Sequence, residues 1–273
     1  MEQVNFINGQ TRLYAIIGDP IEQVRSPEMI TWELQQRGIN GVLCPVHIAE
    51  PDFDRVLPEL LKIRNLDGLI FTIPYKARAL AHAQHIGPQA RVIGAFNAMV
   101  RQADGAWAGE MFDGLGCLEA FRRRGFRLNG QRLMLMGLGG AGMAIGAAMA
   151  AELPRLMRVF DLDAARCERM AQTIARISPN TEVQIGKPDT QGMDVLLNAT
   201  PIGMLGDTRM AIDASSLPEQ LIVFDAIVKP ELTPLLRLAE ASGCRTVKGR
   251  EMMGGQISRI VDFFIARGAA LLS

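Results

Sequence analysis

Over its first hundred residues the chain alternates short apolar runs with amphipathic stretches. RLYAIIGD (12–19), GVLCPVHI (41–48) and LDGLIFTI (66–73) have the length and near-continuous apolarity of buried strands. SPEMITWELQQRG (26–38) and DFDRVLPELLKIRN (52–65) space their apolar residues for helices, the first capped by Ser26 with Pro27 at its first position. PYKARALAHAQHI (74–86) is predicted as a further helix begun by a proline. Strands separated by helices imply parallel pairing in an α/β layer.

From Ala95 to Asp113 the pattern changes to short extended pieces around Asp104-Gly105, a turn dipeptide, which predicts a hairpin presenting Asp113. GLGCLEAFRRRGF then reads as a connecting helix. A second α/β series follows: strand QRLMLMG, a glycine turn and helix, strand RVFDLD, helix AARCERMAQTIARIS, and strands near TEVQI, DVLLNAT and LIVFDAI. The closing GGQISRIVDFFIARG is predicted as a helix that returns to the first domain. The fold class expected is thus α/β: an N-terminal substrate domain, residues 1–105 completed by 245–273, and a Rossmann dinucleotide-binding domain, residues 106–244.

Composition narrows the function. The 273 residues hold 29 Lys plus Arg against 29 Asp plus Glu, so the basic excess of a nucleic-acid surface is missing and no such partner is expected. The four cysteines stand apart, without CxxC pairs, which fits a reducing cytoplasm rather than a disulfide framework. His82 and His85 lie three apart but lack a carboxylate or third ligand, so no metal site is expected. The N-terminal MEQVNFINGQ has no signal-peptide pattern. The uncharged run 133–151 is long enough for a membrane, but its glycine cluster divides it into a strand and a small-residue helix, so no membrane span is expected.

The strongest local signal is Gly137-Leu138-Gly139-Gly140-Ala141-Gly142, between strand and helix. Glycines there let backbone amides approach a pyrophosphate at the helix N-terminus, where the dipole favours negative charge. Asp161 follows Gly142 by about the twenty residues expected of an acid gripping an adenosine ribose. A carboxylate there repels a 2′-phosphate, and Leu162 brings no cation, so NAD is expected over NADP. Asp163 alone reads as a helix cap.

Five segments, in order and covering nearly the whole chain, resemble the shikimate/quinate dehydrogenase family: GLIFTIPYK (68–76), GAFNAMV (94–100), GEMFDGLG (109–116), NATPIGM (198–204) and DAIVKPELTPLL (225–236). The glycine loop and Gln256 in MMGGQ agree. The resemblance implies an NAD(P)-dependent oxidoreductase of quinate/shikimate metabolism and aromatic amino acid biosynthesis. Its substrate would be a small cyclic hydroxy acid or polyol, and it would be a monomer or homodimer. Carried over residue by residue, Lys76 matches the family's catalytic lysine and Asp113 its partner at the substrate hydroxyl. Ser26, Thr72, Asn97 and Gln256 match substrate-binding positions. Ala199, Thr200, Gly203 and Met204 match the segment beside the nicotinamide.

The chain also departs from that pattern. Val24 stands where the family has a second serine of Ser-x-Ser-Pro, Ile70 for an asparagine, Met111 and Phe112 for Asn-Thr, and Val228 for a tyrosine. These losses fall on substrate recognition, not on proton transfer. The competing reading is a ligand-sensing module that keeps the fold without turnover, but such a module should first lose the lysine or the aspartate, and both remain. An ordinary short-chain dehydrogenase is disfavoured because no Tyr-x-x-x-Lys pair is present.

Overall fold

The computed structural model describes residues 7–267. The chain forms two compact units: one runs to Phe112 and resumes at Ile257, the other spans Asp113–Gln256.

Unit 1 is built on β1 (Arg12–Gly18), β2 (Gly41–His47), β3 (Leu66–Phe71), β4 (His85–Ile86), β5 (Ala98–Arg101) and β6 (Trp107–Glu110). They lie in the order β2-β1-β3-β5-β6-β4. β1 runs parallel to β2 and β3, whereas β5 is antiparallel to β3 and β6. Helices α1 (Ser26–Gln36), α2 (Phe53–Leu60) and α3 (Pro88–Ile93) complete it. Every residue of β3 is buried, as expected of a largely apolar strand covered on both faces, and its one charged residue, Asp67, pairs with Arg12.

Unit 2 carries β7 (Arg132–Met136), β8 (Leu156–Phe160), β9 (Glu182–Ile185), β10 (Val195–Asn198), β11 (Ile222–Asp225) and β12 (Arg245–Lys248), with α4 (Asp113–Arg123), α5 (Gly140–Ala150), α6 (Ala164–Ile177), α7 (Pro234–Ala241) and α8 (Gly249–Ile265). Only the first part of α8, to Gln256, belongs to unit 2; from Ile257 the helix belongs to unit 1. The strands of unit 2 are all parallel, in the order β12-β11-β10-β7-β8-β9. This is the doubly wound arrangement, whose ligands bind at the carboxyl ends of the strands.

The hairpin around Asp104-Gly105 forms as expected, with Gly105 at φ +89°. The last helix returns to the first unit. There Phe264 stacks on Tyr14 at 4.9 Å, Phe263 lies 5.4 Å from Phe112, and Arg37 pairs with Asp262. The predicted end of this helix, Gly268, lies outside the described residues.

Three expectations need correction. The segment 74–86 is not an α-helix but turns, a short 3-10 helix (Arg78–His82) and then β4. Tyr75 is fully buried and stacks on Phe53 at 4.1 Å, with its hydroxyl on the Ile48 carbonyl at 2.5 Å. The Lys76 carbonyl accepts the Phe96 N–H at 3.0 Å, a long-range partner that a helical register would not offer. His82 and His85 therefore share no helix face. Second, Ser26 is the first helical residue of α1 rather than its cap, and no side chain caps that helix. Third, the units divide at Phe112/Asp113 and Gln256/Ile257, not at 105/106 and 244/245. β6 is locked into the first sheet by β5, and β12, which the sequence pattern did not announce, pairs with β11 in the second.

The run 133–151 is divided as expected into β7 and α5, and among the described residues no helix is long and apolar enough to cross a membrane.

Candidate active site

In unit 1, three of the proposed substrate and catalytic residues share one backbone frame at the end of β3. The Phe71 N–H donates to the Asn97 carbonyl at 2.9 Å, the Thr72 N–H to Ile17 at 2.9 Å, and the Phe96 N–H to Lys76 at 3.0 Å. Thr72, Lys76 and Asn97 are thus positioned by sheet-type bonds on either side of them. Asn97 is buried, and its Oδ1 accepts the Phe112 N–H at 2.9 Å. That bond fixes the amide's orientation, since only its oxygen accepts.

The β1–α1 loop borders the same frame. The Asp19 N–H donates to the Ile73 carbonyl at 2.9 Å, and a Cβ on Gly18 would lie 2.4 Å from the Thr72 methyl. Ser26 is buried at the end of this loop, Val24 is half-buried and Arg25 is exposed. Ile70, Met111 and Phe112 are buried apolar neighbours along the strand ends.

A buried acid that sequence reasoning passed over, Glu110, sits two positions before Phe112. Its Oε1 accepts the N–H groups of Met111 at 2.7 Å and Ala90 at 2.8 Å. Burial pushes its carboxyl upward, against the pull of those amides. The surrounding motif gave a signal, since a charged residue stood in an otherwise apolar strand.

In unit 2, Asp113 opens α4 and is 2 % exposed. Its carboxylate at a helix N-terminus is favoured by the helix dipole. Two glycines set the helix close to its neighbours. A Cβ on Gly114 would meet the Ala144 carbonyl oxygen at 2.3 Å, and one on Gly116 would lie 2.9 Å from the Gln256 Cβ. Gln256 thus packs against Gly116, in the first turn of the helix that Asp113 opens. The Asp113 charge, after burial, also raises the Cys117 thiol well above its ordinary range.

The glycine loop meets the steric demands of a dinucleotide. Gly137 has φ +83°, and a Cβ there would lie 2.7 Å from the Thr200 nitrogen. One on Gly142 would stand 1.8 Å from the Gly137 carbonyl oxygen, whereas one on Gly139 would meet nothing within 4 Å. The turn is closed at its ends and open at its middle, at the N-terminus of α5 where Gly140 and Ala141 stand, a geometry that suits an anionic group. Beside it, the Thr200 N–H and hydroxyl both donate to Asn198 Oδ1, at 3.0 and 2.7 Å, and the Ala199 N–H donates to Met136. Gly203, at φ +98°, and Met204 continue this segment.

Asp161 follows β8. Its Oδ2 accepts the Leu138 N–H at 2.6 Å and its Oδ1 that of Asp163 at 2.9 Å, so it also shapes the glycine loop. Asp163 separately caps α6. Arg166 lies 3.8 Å from Asp161 and 3.4 Å from Asp163, and Leu162 is 94 % exposed. Further along, the fully buried Asp225 accepts the Ile227 N–H at 3.0 Å and the Thr233 hydroxyl at 2.7 Å, bracing the turn that carries Val228. Burial raises the Asp225 carboxyl to about 6, against those two bonds. Among the described residues no group of three or more His, Cys, Asp or Glu is placed to hold a metal ion.

Residues 16–99 match the family model described as the shikimate dehydrogenase substrate binding domain. A shikimate dehydrogenase (NADP(+)) of Rhodospirillum rubrum is 32 % identical over 254 residues, 90 % of this chain and 89 % of that protein. Among solved structures, shikimate 5-dehydrogenase of Listeria monocytogenes, in complex with shikimate and NAD, superposes with a TM-score of 0.82 at 26 % identity, covering 95 % of this chain and 93 % of that one. The ligand-free 5-ketofructose reductase of Gluconobacter sp. strain CHM43 gives a TM-score of 0.79 at 25 % identity, covering 95 % of each chain. With its fold, its glycine loop and a relative matched along nearly its whole length, the chain belongs to the shikimate dehydrogenase family.

Proposed function

We propose that this protein is a nicotinamide-dependent dehydrogenase that interconverts a ring secondary alcohol of the shikimate or quinate type with its ketone. The observation that carries the reading is the backbone frame holding Thr72, Lys76 and Asn97 at the end of the central strand β3, in a chain whose second unit bears the glycine loop. Family membership supports it, since the Rhodospirillum and Listeria relatives are named for that activity.

Bound at the Gly137–Gly142 loop, the dinucleotide supplies the hydride acceptor for the C–H of the carbinol carbon. The protein's share is the proton. As the C–H electron pair departs and the C=O bond forms, the O–H bond breaks, and Lys76 Nζ accepts the proton. The family resemblance assigns the Asp113 carboxylate to the same hydroxyl, where it would favour release of that proton. In the reverse direction Lys76 returns the proton to the alkoxide oxygen. Ser26, Thr72, Asn97 and Gln256 hold the remaining ring substituents, a task suited to amides and hydroxyls because each both donates and accepts.

The coenzyme assigned is NAD in preference to NADP. A 2′-phosphate beside Asp161 would meet two carboxylates, and the arginine at that corner, Arg166, already lies against both. Exposed Leu162 supplies no compensating charge. The relatives named above include one NADP-dependent enzyme and one captured with NAD, so coenzyme choice is read from these residues.

The test is spectrophotometric: reduction of NAD and NADP by a panel of cyclic alcohols, and oxidation of NADH and NADPH by the matching ketones. Turnover of at least one member is expected. Absence of turnover across the panel with both coenzymes overturns the assignment.

A further inference from the structure

Asn198 and Asp225 are the last residues of β10 and β11 and face each other in register, so their side chains rise on the same side of the sheet at the carboxyl ends of the strands. Both are fully buried. A polar pair without access to solvent has to be satisfied from within the chain. Asn198 Oδ1 receives the Thr200 N–H at 3.0 Å and the Thr200 hydroxyl at 2.7 Å. An amide whose oxygen takes two donors presents its NH2 the other way. Among the described residues Nδ2 has no partner of ordinary hydrogen-bond geometry. The acceptor beside it is the Asp225 carboxylate: burial pushes that carboxyl up, and the Asn198 amide, with Ile227 and Thr233, draws it back.

The charge on Asp225 therefore decides which way the amide is turned. A carboxylate accepts only: it attracts the NH2 and repels the amide oxygen, which keeps Oδ1 on Thr200. A protonated carboxyl carries an O–H that can donate to that oxygen. It favours the opposite orientation, which would set the NH2 against the Thr200 N–H, donor against donor. The charged groups of the neighbouring elements are engaged elsewhere. Lys248, the register partner of Asp225 on β12, lies 3.8 Å from Glu231 and 3.9 Å from Glu240. Arg250 of α8 lies 3.6 Å from Glu231, and Lys229 and Arg237 are exposed. What α7 offers Asp225 is the neutral hydroxyl of its capping residue, Thr233.

We propose that Asp225 and Asn198 are positioning residues for the coenzyme: the buried carboxylate orients the Asn198 amide, and the amide holds Thr200 at the start of the segment assigned to the nicotinamide. This rests on the dehydrogenase reading above and deepens it. Neither residue is exposed to the coenzyme; both act through the Thr200 backbone and hydroxyl. Burial raises the Asp225 carboxyl to about 6, so the brace is complete above that pH and released below it.

The test is calorimetric titration of the protein with NAD across this range. NAD is the probe because the phosphate monoester of NADP itself titrates at about pH 6. From about pH 7.5 down to about pH 5 the Kd for NAD should rise about three- to tenfold, the scale of one neutral hydrogen bond, with the midpoint of the Asp225 carboxyl. Asp225→Asn, uncharged at every pH, should show no such rise. In amide NMR spectra the Thr200 resonance should move with the same midpoint in the parent and stay still in the variant. A merely structural role for Asp225 would alter stability and leave the two profiles alike. A flat Kd overturns the proposal, as does a rise that survives in Asp225→Asn or a Thr200 resonance that does not titrate. If the variant does not fold, the parent's two profiles decide. Should the parent bind neither NAD nor NADP, the coenzyme reading falls; a titrating Thr200 resonance then still upholds the Asp225–Asn198–Thr200 link, and a static one overturns it.

Discussion

The two units meet the demands of chemistry in different materials. In the second unit the critical surfaces are backbone: the Gly137–Gly142 turn, the amides at the start of α5, and the pinned Ala199–Thr200 segment. In the first unit the proposed ones are side chains on a backbone frame: Thr72, Lys76 and Asn97, with Ile70 and Phe112 beside them. A backbone surface allows one or two residue types and resists change, whereas a side-chain surface can keep its proton-handling group while exchanging every neighbour. The glycine loop accordingly follows the family pattern, while the substrate loop departs from it.

The sharpest way to break this contrast is within the glycine loop. Gly142→Ala puts a methyl 1.8 Å from a backbone oxygen and should cost about 3 kcal/mol of stability, at the upper end of overpacking, and abolish coenzyme binding. Gly139→Ala meets no neighbour within 4 Å, so its melting temperature should match the parent's while KM for NAD rises about tenfold or more. Equal stability losses in the two variants would show that the loop is not closed at its ends and open in the middle. On the side-chain surface, Lys76→Ala should lower kcat about a hundredfold or more with NAD affinity, read by NADH fluorescence, nearly unchanged. Asp113→Asn should behave alike. Near-native turnover in a folded Lys76→Ala protein would remove the lysine from the reaction.

A third test asks whether the second unit's rigidity has a cost. Asp225 has its carboxyl raised from 3.8 to about 6 by burial. Below about pH 4 folded and unfolded chains both hold the proton. Between about pH 4 and 6 the unfolded chain has lost it and the folded one retains it, so stability falls as pH rises, by about 1.4 kcal/mol per pH unit, and levels off above. Denaturant unfolding of the parent and Asp225→Asn across this range should show the slope in the parent only. The smallest effect concerns the coenzyme: NAD should exceed NADP in kcat/KM by about tenfold, roughly 1.4 kcal/mol, and Leu162→Arg should narrow the gap. An NADP preference in the parent would mean that Asp161 does not face the ribose.

Legibility followed the same division. Periodicity announced β1, β3, β7 and α6 because each buries a continuous face, and the glycine loop because its spacing answers a steric demand. It missed β12 and α3, which are four and six residues long, too short for a period to emerge. It misread 74–86 because apolar spacing records that Tyr75 and Ala79 are buried, not that the Lys76 carbonyl finds its partner at Phe96. Ser26 looked like a cap by residue type, yet capping depends on where the helix begins. Asp225 had no local signal strong enough to mark it. What distinguishes it is full burial and its bonds to Ile227 and Thr233, and both are properties of the folded chain.

Leu162 carries a consequence of another kind. A side chain that is 94 % exposed at the adenosine end of the loop takes almost no part in folding, so its replacement is close to neutral for stability. On the coenzyme reading proposed above, coenzyme choice is thereby separated from the fold's survival, and a single codon at this position would shift it without compensating changes elsewhere.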